Sequence, residues 1–134
     1  MEFAVAWVVL WLLFSGVYQF GYGFYCYNVL MTAVTNAATL GAKLDYDTGA
    51  STSYTTSLQN MVVYGDTSTG SKTQLPGLTT ANVNVAVTLV GGYPADVTVS
   101  IQNFTVNAIF ASMTWSGKPR ATFPYVGHVL CASC

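Results

Sequence analysis

The residues able to do chemistry are few. His128 is the only histidine, and no His-based triad with its own orienting partner is evident around it. Nor do His, Cys, Asp and Glu fall at metal-ligand spacings, and no metal or cofactor is expected. Asp45-Tyr46-Asp47-Thr48-Gly49 faintly resembles the start of a calcium loop, but the closing Glu of that pattern is missing. Turn and cap residues leaving a helix are the expected role. Asn103-Phe104-Thr105 is a glycosylation acceptor pattern. Cys131 and Cys134 form a C-x-x-C. A redox motif of that spacing needs a helix start in a βαβ context, and the flanking residues supply none. A short-loop disulfide tying down the tail in an oxidising exterior is the expectation, with a bond to a neighbouring copy as the alternative. Cys26 is expected to be a buried free thiol. An enzyme is therefore not expected.

One carboxylate remains. Glu2 is followed by no Asp, Glu, Lys or Arg until Lys43. Kept among apolar helices, a charge costs ~2.5–3.5 kcal/mol at a bilayer centre on insertion scales. It would need a cation, and the amino terminus of an adjacent copy is the obvious one. Such a pair would fix axial register between copies, because breaking it strands a buried charge. Glu2 is thus an assembly candidate, and Phe3 joins it only through the resemblance given below.

The elements that must position them follow from composition. Charged residues make up 7% of the chain, against ~25% in an average soluble protein. Mean hydropathy is +0.46. The four Lys/Arg are scattered and the net charge is -1, so no basic field exists to hold nucleic acid. Up to Leu44 the chain is apolar and aromatic; beyond it, Thr, Ser, Asn, Gly and Val dominate. The boundary predicts two parts: a long helix at 1–44 and an α+β head at 45–134.

Crossing ~30 Å of hydrocarbon takes ~20 helical residues, and residues 3–22 provide them. No Lys or Arg precedes the apolar core, unlike a secretory signal, and helix formers continue past it. A helix to residue 44 would be about twice a bilayer's thickness, so its second half must stand outside. There Val34, Ala37, Ala38, Leu40 and Gly41 give an apolar face, and Thr32, Thr35, Asn36, Thr39 and Lys43 a polar one. In the first half Trp7, Trp11, Phe14, Tyr18, Tyr22 and Tyr25 recur every three or four residues and form one stripe. Helix–helix packing is its expected use; an interfacial aromatic belt and a stacked path for electrons are the other readings. Gly16, Gly21 and Gly23 each cost ~1 kcal/mol relative to Ala in a helix. Close approach of neighbouring helices and a stretch able to bend explain them equally well.

In the head, Thr52, Ser53 or Thr55 is expected to cap a short helix through "TTSLQNMVVYG", stopped by Gly65, with Leu58, Met61 and Val62 buried. "ANVNVAVTLV" alternates, which places Val83, Val85, Val87 and Leu89 on one face of a strand. "GGYPAD" reads as the turn and "VTVSIQNF" as the return strand, with Val97, Val99 and Ile101 inward. A further strand or two fits within 107–126. Two strands alone are marginal, so the second half of the long helix must cover them.

These residues resemble a known family. "EFAVAWVVLWLLFSGVYQFGYGFYCYNVLMTAVTNAATLGAKL" resembles the N-terminus of TadE-like pseudopilins of the type IV pilin superfamily, through Glu2-Phe3-Ala4, Phe20-Gly21, Asn36-Ala37-Ala38 and Gly41-Ala42. The segments "VVYG", "LPGLTTANV", "VTVSI" and "PYVG" also look like that family. Val8 stands where the family often has proline, and Gln19 and Tyr22 where it usually has an acidic residue and an arginine. The family's precursors carry a leader removed by a prepilin peptidase, and pilins place the glutamate further into the mature chain. The true start or the processing is therefore expected to differ here. The resemblance implies a pilin-like fold and a structural subunit that sits in the inner membrane by its helix. It is then extracted by pilus assembly machinery into an extracellular, Tad-like filament of many copies, serving adhesion or surface colonisation. The competing expectation is a single-pass, membrane-anchored binding domain that never polymerises.

Overall fold

The structure is a computed structural model that describes residues 2–47, 50–108 and 111–130, with the Glu2 side chain outside the description. The architecture is α+β. Helix α1 runs Glu2–Gly41, 40 residues, or ~60 Å at ~1.5 Å per residue. It contains no proline, and its many Val and aromatic residues are poor helix formers in water. In an apolar medium every backbone polar group must be satisfied within the segment, which makes the helix obligatory for a single span.

After α1 come β1 (Tyr46–Asp47), α2 (Ser51–Tyr64), a 3-10 turn at Thr80–Asn82, β2 (Val83–Val90) and β3 (Tyr93–Ile101). These are followed by β4 (Phe104–Asn107), β5 (Ser112–Trp115), β6 (Arg120–Pro124) and β7 (Val129–Leu130). The strands form a three-stranded antiparallel sheet in the order β2-β3-β6, the antiparallel pair β4-β5 and the parallel pair β1-β7. The second half of α1 packs on β3, β6 and α2, and α2 also covers β2.

The core lies where those elements meet. Leu30, Val34, Ala37 and Ala38 of α1 are fully buried, as are Leu58, Val62 and Val63 of α2 and Val97, Val99 and Ile101 of β3. The expected faces of α1 and β3 are the observed ones; on α2, Leu58 and Val62 are buried as expected and Met61 only half-buried. The opposite face of the sheet is polar, and there the Thr98 and Thr122 hydroxyls lie 2.8 Å apart across β3 and β6.

Five local expectations fail for physical reasons. Helix α1 ends at Gly41 rather than near 44, because the head captures its last carbonyls (below). The N-cap of α2 is Ala50, with no side-chain cap bond; Ser53 turns its hydroxyl back to the Ala50 carbonyl at 2.9 Å instead. The turn between β2 and β3 is only Gly91-Gly92, whose φ of 62° and 86° require the left-handed region, so β3 starts at Tyr93. Leu89 is exposed, not inward. The β2–β3 register shifts between Thr88 and Leu89, and such a bulge re-aims the residues beyond it. The return strand also stops at Ile101; a turn with Asn103 at φ 50° starts a separate strand at Phe104. At the other end of α2, Gly65 is the left-handed C-cap that the sequence predicts, its N–H donating to the Met61 carbonyl.

Candidate assembly surface

The two halves of α1 live in different environments. Among large apolar residues, Phe3, Trp7, Trp11, Phe14, Val17, Tyr18 and Phe20 are all more than half exposed. From Cys26 onward α1 carries a fully buried stripe. The protein therefore presents a contiguous apolar column far larger than the few hundred Å² a soluble monomer tolerates. By length and composition, Phe3–Gly41 can cross a membrane.

The stripe is a continuous rail at its upper end. Tyr18 and Tyr22 stack with ring centroids 6.4 Å apart and an interplanar angle of 4°, and Tyr22 and Tyr25 follow at 6.5 Å and 27°. Trp7, Trp11 and Phe14 line shallow surface clefts lower down. A Cβ added to Gly16 or Gly21 would meet nothing within 4 Å, so close approach at either glycine can come only from outside this chain. Gly23 is different: a Cβ there would lie 2.8 Å from Met113 Sδ. That glycine lets β5 approach α1 where the helix enters the head.

At the opposite end the head grips the helix terminus. A helix leaves its last carbonyls without intrahelical partners. Here the Tyr54 hydroxyl donates to the Gly41 carbonyl at 2.6 Å, and the Val126 N–H donates to the Ala42 carbonyl at 2.8 Å. The Tyr125 hydroxyl lies 2.8 Å from the Leu44 carbonyl and 2.7 Å from that of His128, and it accepts from the Tyr46 N–H at 2.9 Å. The rings of Tyr54 and Tyr125 each meet the Tyr46 ring at nearly a right angle, 5.2 and 6.5 Å away. Gly41 allows this closeness, since a Cβ there would fall 2.8 Å from Leu58 Cδ1 and 2.9 Å from the Tyr54 oxygen. A pull on the helix is thus passed directly to the head. No local sequence pattern marks Tyr54 and Tyr125 as a pair, because they are distant in sequence.

Burial holds the Tyr54 phenol well above its ordinary value of 10.0, with the nearby Tyr125 and Tyr46 adding to the shift. Burial also raises Tyr125, against an opposing hydrogen bond from the Tyr46 backbone. In the unfolded chain both phenols ionise near their ordinary value, so the fold binds the protons more tightly. The stability they contribute is complete below about pH 10 and is lost as pH climbs above it. Urea titrations of the detergent-solubilised protein should therefore show a lower midpoint at pH ~10.5 than at pH ~8. Tyr54→Phe should flatten that fall and cost ~1–3 kcal/mol at neutral pH by stranding the Gly41 carbonyl.

The other sequence candidates are scattered. Asn103 is exposed in the turn before β4. Cys26 is a buried free thiol. Cys131 and Cys134 lie outside the described residues, as does the Glu2 side chain. His128 is exposed and serves β1 through its backbone carbonyl. Among the described residues no group of three or more His, Cys, Asp and Glu is placed to hold a metal ion.

Comparison with known families gives one finding: residues 1–39 match the family model described as TadE-like protein. The match covers almost all of α1 and none of the head, so the head segments that resemble the family lie outside it. The likeness is one of α1 to that family's model. No curated protein and no solved structure matches the chain.

Proposed function

We propose that this chain is a structural subunit of an extracellular Tad-like filament. It is held in the cytoplasmic membrane by the first half of α1 and polymerises through that same half once extracted. The observation that carries this is the division of one helix. Its lower half is apolar on every side and exposed, while its upper half is the backbone of the head's core and is bonded to it at the carbonyl end. The same apolar column can face lipid before assembly and other copies after it. The dividing line near Gly23 separates residues 1–44 into a packing part and a part merged with the head at 45–134.

In this reading Trp7, Trp11, Phe14, Tyr18, Tyr22 and Tyr25 pack between helices, Gly16 and Gly21 admit a neighbour's helix, and Glu2 and Phe3 set register. Pilus assembly machinery and a prepilin peptidase are the implied partners, and the Thr-rich head faces the medium for adhesion. The reading gives His128, which is exposed, no catalytic role. Shearing surface filaments from cells and measuring their composition tests the proposal. This chain should be the repeating mass or an incorporated component; recovery only as a membrane monomer would contradict it.

A further inference from the structure

The head comes down onto α1 at a level that carries no charge. Met113 of β5 lies against Gly23, where an added Cβ would meet its Sδ at 2.8 Å. The Trp115 ring stands 6.4 Å from that of Tyr27. On another side Pro76, Gly77 and Asn107 share a pocket with Tyr22 and Cys26. The lower rim of the head thus meets α1 between Tyr22 and Tyr27. Residues 73–95 and 97–117, which supply that rim, hold no Asp, Glu, Lys or Arg. Beside Met113 and Trp115 the rim leaves a groove of about 300 Å³, whose other walls are Phe20, Gly23, Phe24 and Tyr27. Phe20 and Phe24 are 66% and 69% exposed, so the groove opens onto the apolar column below without a polar break.

Length sets the depth of this groove. Measured from Phe3 at ~1.5 Å per residue, Phe20 lies ~25 Å along α1, Gly23 ~30 Å and Tyr27 ~36 Å. The hydrocarbon of a bilayer is ~30 Å thick, and its headgroup layers bring the total to ~40–45 Å. A helix tilt of ~20° lowers these heights by only ~2 Å. A span that starts at Phe3, just past Glu2, therefore ends near Gly23. The groove straddles the boundary between acyl chains and headgroups on the head's side. Phe20 stands among acyl chains, while Tyr27 and Trp115 stand at the headgroups, the level that Tyr and Trp favour at membrane surfaces. Water needs polar partners to occupy a cavity, and these walls are almost wholly apolar. An acyl chain entering from the adjoining leaflet needs none.

We propose that, in the membrane-held subunit, a phospholipid acyl chain fills the Phe20–Trp115 groove and seats the head on the leaflet beneath it. The proposal rests on the proposed membrane-held state and not on polymerisation. The seat fixes the height of the head, because raising it would expose the groove to water. It thereby places Glu2 one hydrocarbon thickness away, at the opposite headgroup layer, where a carboxylate is hydrated. Extraction from the membrane then requires the groove to give up its lipid.

Two full-length proteins with one tryptophan each test this in phosphatidylcholine vesicles. The chain has three tryptophans. Trp7→Phe with Trp11→Phe leaves Trp115 as the reporter and changes nothing in the head. Trp7→Phe with Trp115→Phe leaves Trp11, ~12 Å along α1 from Phe3 and so near the bilayer centre. Part of the lipid carries a nitroxide quencher, either near the carboxyl end of its acyl chain or at the methyl end. Trp115 should lose most of its emission to the carboxyl-end nitroxide and little to the methyl-end one or to iodide in the water. Trp11 should show the reverse preference between the two nitroxides. Iodide quenching of Trp115 without nitroxide quenching, while Trp11 is still quenched by lipid, overturns the seat and leaves the membrane-held reading intact. Shielding of Trp115 from both lipid and iodide, as by a second copy or another protein on the groove, also overturns it. Loss of lipid quenching at both reporters overturns both readings. Phe24→Asn in the Trp115 reporter alters an exposed wall of the groove. It should reduce the carboxyl-end quenching with the head's melting temperature unchanged, and undiminished quenching overturns the proposal.

Discussion

Replacing Glu2 with alanine should leave the protein inserted in the membrane and reduce filament yield by at least about ten-fold. The reasoning is electrostatic. Between Glu2 and Lys43 α1 holds no charge, so packed lower helices form a medium with nothing else to compensate a carboxylate or its partner. Removing one member of a buried pair typically costs ~3–5 kcal/mol, because the other is left unsolvated. Here the stranded group would be the ammonium of an adjacent copy, and the loss recurs at every subunit. Insertion has no such dependence, since the ~20 apolar residues needed to span a bilayer remain. Glu2→Gln should behave like Glu2→Ala, which separates charge from hydrogen bonding. The readout is sheared filament mass against membrane-fraction protein. Filaments at the parental level from Glu2→Ala would remove the carboxylate from the assembly account and favour a plain anchor.

Phe104→Ala should unfold the head at a far lower temperature. Phe104 is 1% exposed, and its ring stacks on Trp115 at 6.2 Å and 21°. Trp115 in turn stands 6.4 Å from the Tyr27 ring of α1. Phe104 is therefore the inner end of a relay that fastens the β4–β5 pair to the helix where it leaves the apolar medium. Truncating a buried Phe to Ala costs ~3–5 kcal/mol. At ~4–8 °C per kcal/mol for a domain of ~60–100 residues, the midpoint should fall by ~12 °C or more. Near-UV circular dichroism of the detergent-solubilised full chain reports it. Trp11→Ala is the control: it deletes a larger ring, but one 65% exposed on the lower helix, so the head should melt as before. A fall of only ~2 °C for Phe104→Ala would mean that the site collapses around the lost ring.

Much of the fold is legible because its signals are local. Val97, Val99 and Ile101 alternate, so one face of β3 must be buried whatever covers it. Val34, Ala37 and Ala38 fall on one side of a helix for the same reason of period. Leu89 belongs by alternation to the same inward row as Val83, yet it faces solvent. The β2–β3 register shifts just there, between Thr88 and Leu89, and no residue near Leu89 announces that. The N-cap of α2 fails similarly: three hydroxyl residues stand ready, and the chain enters the helix from Ala50 instead. The close approach at Gly23 was visible only as a choice between packing and bending. The structure sets Met113 of β5 against Gly23, a contact with a strand that neither reading named.

The sequence by itself determined that this protein has one apolar helix about twice a membrane's thickness, a β-rich polar head and a single carboxylate at the helix's apolar end. Those follow from composition and period, which need no partner to be read. Only the tertiary structure decided where the helix stops being a core for others and becomes a core for its own head. It also decided that Tyr54 and Tyr125 close the helix terminus. Each of these depends on distances between residues far apart in the chain, set by how the sheet packs across α1, and no local pattern encodes such distances.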